Sequence, residues 1–205
     1  MVKPLIYAIC DQAYFHTHAE AFRRSGESHG NIIFIELIRP NDHVEWVERL
    51  PPHDRKTFYV MLRFLLLPKL LKHCQGILVC DIDSVFNAKI EFPDEYDMGI
   101  FFRPWLGEPS LKVLCSATYF TPRAIPFLER VRDRLLASSG EWGCDQAAIW
   151  QQTVEDEGKY NILQLDQDFI SFDRFADAPI WTAKGPTRKC DPTYLARKQA
   201  YEVAA

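Results

Sequence analysis

The sequence predicts an α/β domain built on a mainly parallel central sheet with helices on both faces. Three observations lead there. Short aliphatic runs alternate with amphipathic segments of helical period, in the order strand, helix, strand, helix. Gly, Pro and Asn cluster at the joints. The apolar run Gly76–Cys80 ends in two carboxylates, Asp81 and Asp83, where strands of open α/β sheets commonly present ligand-binding groups.

Each element follows from local chemistry. Leu5–Cys10 suits a buried first strand, and Asp11 opens a helical stretch to Arg24 whose end Gly26 and Gly30 bracket. Asn31–Ile38 reads as a second strand stopped at Arg39-Pro40; Asp42 can cap a short helix carrying Val44, Val47 and Leu50 before Pro51-Pro52. A long helix spans Thr57–Lys72 with Phe58, Met61, Leu62 and Leu65 at core spacing, and Pro68 is expected to kink or divide it. After the strand with the two acids, Asp97–Arg103 and Lys112–Phe120 read as strands, joined by a loop from Pro104 to Pro109 that exposes Trp105. Thr121-Pro122 offers a cap and a first-turn proline to a helix that buries Phe127, Leu128, Val131 and Leu135. Gly140–Gly143 interrupts, Asp145 starts a helix to about Thr153, and Tyr160–Leu165 is a late strand. Lys184, Arg188, Lys189, Arg197 and Lys198 gather between Trp181 and Tyr201.

With 205 residues, 47% of them apolar, the chain supports one substantial core, and no repeat or linker divides it. A formal charge of −4 argues against a general polyanion binder, so nucleic acid is a less expected partner. Cys10, Cys74, Cys80, Cys115, Cys144 and Cys190 lack zinc-site spacing and read as reduced thiols of a cytosolic protein. Neither a signal peptide nor a run long enough to span a membrane is visible.

Extended backbone sends Asp81 and Asp83 to the same side, where like charges repel unless a cation compensates. A divalent metal held by hard oxygens is one explanation, and a cap plus a solvated acid is the other.

The ordered set of blocks resembles a small glycosyltransferase of the GT-A fold, more narrowly family 8 with glycogenin and bacterial galactosyltransferases. The blocks are Asp11-Gln12-Ala13-Tyr14, Arg63, Asp81-Ile82-Asp83, Asp145-Gln146 and Lys184-Gly185-Pro186-Thr187-Arg188. The resemblance covers most of the chain. It implies a nucleotide-binding half over 1–86 and a sugar and acceptor half over 87–205. It implies a nucleoside-diphosphate-sugar donor, a UDP-hexose, held through Cys10, Asp11, Tyr14, Arg63 and Ile82. Asp81 and Asp83 would hold Mn²⁺ or Mg²⁺ against the diphosphate, with Lys184, Gly185, Arg188 and Lys189 around it. Asp145 and Gln146 would lie beside the transferred sugar as catalytic groups, with Ser116, Arg103 and Trp105 contacting sugar or acceptor. Retention of configuration is implied as well. The acceptor is open: glycan, protein, lipid head group, small molecule or modified nucleobase.

Plainer roles exist for each block. Asp11 can cap the first helix with Tyr14 in the core, Arg63 can be a structural ion-pair partner, Asp145 can cap its helix, and the basic segment can be a solvated tail. The chain also departs from the family. Thr182 stands where a metal-binding histidine is usual, leaving Thr182, water or Asp168 to complete a metal shell, or a metal that binds productively only with substrate present, and Arg188 replaces a lysine. Val79–Val85 also looks like the first motif of haloacid-dehalogenase-type phosphatases, with Asp81 as nucleophile and Asp83 as acid, and a non-catalytic nucleotide-sugar or glycan-binding module is a third reading.

Overall fold

The computed structural model describes residues 1–39, 55–172, 178–183 and 185–203; the expected helix around Val44, Val47 and Leu50, and the side chain of Lys184, lie outside them. Five helices of two turns or more and one single helical turn accompany nine strands among those residues. The helices are α1 (Gln12–Ser28), α2 (Arg55–Leu70), α3 (Ile125–Leu136), α4 (Cys144–Glu155), the turn α5 (Pro186–Lys189) and α6 (Pro192–Val203). The strands are β1 (Leu5–Cys10), β2 (Ile32–Leu37), β3 (Ile77–Cys80), β4 (Ser84–Phe86), β5 (Met98–Phe102), β6 (Val113–Phe120), β7 (Ile162–Gln164), β8 (Ile170–Ser171) and β9 (Ile180–Thr182).

Six strands form the main sheet in the order β2-β1-β3-β6-β5-β7. Pairing is parallel except where β6 runs against both β3 and β5. The mainly parallel sheet expected from the alternation is therefore present, with one reversed strand. Nothing in the β6 residues announces the reversal, because all eight are buried and a run apolar on both faces reads alike in either direction.

Alternation along the strands divides the core. Tyr7, Ile77 and Val79 point to the face covered by α2, α3 and α4, whereas Ile6, Ala8, Leu78 and Cys80 meet α1 through Ala19 and Phe22. The same alternation breaks in β6. Val113 and Cys115 face the α2 side, but Ala117 and Tyr119 face the α1 side, and the β5–β6 register shifts between Gly99 and Phe101. The irregularity falls around Ser116, beside the end of β3, where such bulges commonly re-aim side chains.

Local expectations fare unevenly. Phe127, Leu128, Val131 and Leu135 are the buried face of α3, as their spacing requires. Gly26 does not end α1 but lies inside it; a Cβ there would come within 2.3 Å of Ile33 Cδ1, so the glycine lets the helix lie against β2. Pro68 sits within α2 without dividing it, and the helix passes into a 3₁₀ turn at Leu71–His73. One missing N–H near a helix end costs little beside the burial of Phe64, Leu65 and Leu67. Thr121 gives no side-chain cap; its hydroxyl donates to Asp97 O at 3.0 Å.

A second, small sheet positions the site. Its order is β4-β9-β8, with Ser84 opposite Thr182 and Val85 opposite Trp181. The turn at Asp81–Asp83 thus carries the chain from the main sheet into the small one, and β9 brings Gly185–Lys189 back to the acids. Trp181, Ala183 and Tyr194 bury Val85 beneath α6, which packs on α1.

Candidate active site

The two acids lie in a turn rather than in continued strand. β3 ends at Cys80, Asp81 N–H donates to Ser116 O at 3.0 Å, and Ser84 N–H closes on Asp81 O at 3.1 Å. The alternation rule therefore does not apply to them: residues 84–86 leave the main sheet to pair with β9, and the chain must bend first. Ile82 is buried within this turn.

Each acid is paired with a cation supplied by a different part of the fold. Arg63, buried in α2, donates from Nη1 to Asp81 Oδ1 at 2.7 Å and from Nη2 to Asp145 Oδ2 at 2.8 Å. Burial opposes its charge, and Asp81 and Asp145 together outweigh that, holding the guanidinium above its ordinary pKa. Asp145 is not a cap. Gly143 caps α4 with a left-handed φ of +86°, and Asp145 turns inward to Arg63, almost wholly buried.

Asp83 faces the C-terminal segment. Lys189 Nζ lies 2.7 Å from Asp83 Oδ2, and Thr182 Oγ1 lies 3.4 Å from Asp83 Oδ1. Burial, then the Asp81 charge, raises the Asp83 pKa against the opposing pull of Lys189. Lys189 Nζ also reaches Tyr14 Oη at 3.0 Å and sits 4.6 Å from the Tyr14 ring centroid. Tyr14 is 38% exposed, so it is not a core residue. Asp11 caps α1 by accepting from Tyr14 N–H at 2.8 Å, which fixes Tyr14 at the mouth of the site. Cys10, beneath it, is buried, and burial followed by the Asp11 charge pushes its thiol up to about 12.

Other predicted residues divide between near and far. Arg103 donates to Val113 O at 2.9 Å and to Gln146 Oε1 at 3.3 Å, so two residues assigned to the sugar meet each other. Trp105 is 74% exposed in its loop. Gly185, at φ +86°, adopts a conformation suited to glycine and has open space where a Cβ would stand. Arg188 is exposed, with its guanidinium 5.7 Å from the Phe172 ring centroid, and Lys189 places its ammonium against Asp83. Among the described residues, the buried Nε of Arg63 and Arg103 and the hydroxyls of Ser84 and Ser116 have no hydrogen-bond partner. Separately, a cavity of about 400 Å³ opens beside Gly143, lined by Ser110, Arg134, Ser138, Trp142 and Gln151 among others.

Tyr194 was not singled out by sequence reasoning. Its hydroxyl lies 3.3 Å from Asp83 O, as donor, and 3.2 Å from His18 Nδ1. The signal was available: Tyr194, Arg197 and Tyr201 recur at helical spacing after Asp191-Pro192.

The fold is similar to those of solved glycosyltransferases. A glycosyltransferase involved in glycosylation of the major capsid of PBCV-1 superposes with a TM-score of 0.58 at 15% identity over 96% of this chain and 100% of its own. Apo GlyE of Streptococcus pneumoniae TIGR4 gives 0.64 at 12% identity over 100% of this chain and 61% of its own. The bifunctional WbbM gives 0.60 at 10% identity over 97% of this chain and 51% of its own. The fold is a glycosyltransferase fold. No protein-family model matches the sequence, and no curated protein does. This chain spans the full length of the PBCV-1 capsid glycosyltransferase but only about three fifths of GlyE and half of WbbM.

A divalent metal fits these residues poorly. Among the described residues no three His, Cys, Asp or Glu groups converge to hold an ion. Asp168 lies in a turn whose N–H binds Asp166, Thr182 offers only a neutral hydroxyl, and Asp81 and Asp83 each already face a cation.

Proposed function

We propose that this protein transfers a hexose from a nucleoside diphosphate donor, UDP-linked and with retention, to an acceptor hydroxyl. The observation that carries the proposal is the meeting of Asp81, Asp83, Arg63, Asp145 and Lys189 at the carboxyl ends of β1 and β3 on a glycosyltransferase fold. In the reaction the bond between the anomeric carbon and the β-phosphate oxygen breaks, its electron pair staying on that oxygen. The acceptor oxygen forms the new bond to the anomeric carbon and releases its proton to a base or to water.

The chain's own residues have distinct parts in this reading. Tyr14 offers a partly exposed aromatic face to the base. Gly185 admits the backbone close to the diphosphate, and Lys189 supplies positive charge where the leaving group gains negative charge. Asp145 is held by Arg63 and is too buried to reach an acceptor, so it acts by fixing Gln146 and the start of α4 beside the sugar. Arg103 orients Gln146 from the other side. The involvement of one structural neighbour in glycosylating the major capsid of PBCV-1 makes a glycan or glycoprotein the first acceptor class to try.

The test is a panel of nucleotides and nucleotide sugars scored by thermal shift and by nucleotide release. A UDP-hexose is expected to raise Tm and to release UDP. A covalent phosphate on Asp81 would instead favour the phosphatase reading, and donor binding without release or transfer would favour a binding module. No shift with any donor would overturn the proposal.

A further inference from the structure

We infer that Lys189 is the resident cation of this site, taking the place of a divalent metal at the diphosphate. The inference rests on the donor reading just given and concerns what neutralises the leaving group. Its basis is how Lys189 is held. The side chain is 25% exposed and its ammonium lies against Asp83, whose side chain is 9% exposed, at 2.7 Å. Tyr14 Oη is 3.0 Å away and the Tyr14 ring flanks the same nitrogen.

An ammonium has three N–H donors. Asp83 and Tyr14 take two, which leaves one to meet a phosphate oxygen at the partly open side of the site. The position is set by the backbone, not by a wandering surface chain. β9 pairs with β4 directly after the acidic turn, Gly185 turns the chain at positive φ, and α5 presents Lys189 one helical turn later.

The same geometry blocks an ion. A metal at Asp83 would stand within a few ångströms of the Lys189 ammonium, and the second carboxylate, Asp81, is engaged by Arg63 at 2.7 Å. Thr182 fills the remaining side of Asp83 with a neutral hydroxyl that is itself fully buried. A point charge on a flexible stem can follow the phosphate through bond cleavage and remain an ammonium throughout, with no proton transfer required.

The experiment titrates UDP against the full chain, reading Tm in EDTA and in Mn²⁺, for wild type and Lys189→Met. The expected result is an equal UDP shift in EDTA and Mn²⁺ for wild type. In Lys189→Met, binding in EDTA falls by about tenfold or more, the range for a lost charge-assisted contact, and Mn²⁺ restores it by occupying the freed Asp83. A wild-type shift that appears only with Mn²⁺ or Mg²⁺ overturns the inference while leaving the donor reading intact. No shift with UDP under either condition overturns both. The wild-type comparison stands alone should the variant fold poorly.

Discussion

At the residue scale the site depends on Arg63. A buried guanidinium between two carboxylates is stable only while all three charges are present, since removing the cation strands Asp145 in a place water does not reach. Arg63→Met is expected to lower unfolding free energy by about 3–5 kcal/mol in urea denaturation. Adding Asp145→Asn should recover part of that loss, giving a non-additive pair. His18 gives a second residue-level prediction. Burial, then Lys198 and Lys189, lowers its pKa to about 4. Because the folded value lies below the ordinary 6.5, the folded state binds fewer protons between them. Stability from this group is thus complete above pH 6.5 and falls as pH drops toward 4, by about 3 kcal/mol in all. The neutral imidazole sits against Tyr194 and the Tyr14 ring, so the loss should loosen α6 first. Comparing wild type with His18→Asn across this range checks it: the variant's slope should be flatter.

At the element scale, two glycines hold the machinery in place. Gly143 caps α4 at φ +86° with Ser110 Cβ 3.0 Å from where its own Cβ would be. Gly143→Ala therefore meets both backbone strain and a close contact, and should cost about 1–3 kcal/mol while lowering sugar transfer, because Asp145 and Gln146 follow directly. Gly76 opens β3 against the Tyr119 ring, which stacks on Phe92 with centroids 3.9 Å apart. Gly76→Ala should lower Tm for that reason, with the ring unable to retreat.

Strand and helix identities were largely legible at this scale, since aliphatic runs and the 127, 128, 131, 135 spacing report burial directly. The bulge at Ser116 and the reversed β6 were not, because both faces of that strand are buried and no polar residue marks a face. Asp145 read equally well as a cap or as a site residue; only the position of Arg63 across the sheet decides that it turns inward. The pairing of Lys189 with Asp83 was hidden for a similar reason. Arg188 and Lys189 are adjacent basic residues, and which one faces the acids depends on the phase of a single helical turn after Gly185.

At the scale of the whole molecule, the fold places a short second sheet beside the main one so that one turn, Asp81–Asp83, belongs to both. That arrangement brings the mid-chain Arg63 to Asp81 and the C-terminal Lys189 to Asp83, with the N-terminal Tyr14 against Lys189, and the structural neighbours share the fold at 10–15% identity. No described helix is long and apolar enough to cross a membrane, and the six cysteines are free thiols. The central claim is that this convergence moves a sugar from a nucleoside diphosphate. The most direct measurement is release of UDP from a set of UDP-hexoses by wild type and by Asp83→Asn, with a mixed glycan acceptor. The account predicts release with at least one donor, reduced at least tenfold in Asp83→Asn. Equal release by both proteins, or none with any donor, would contradict it.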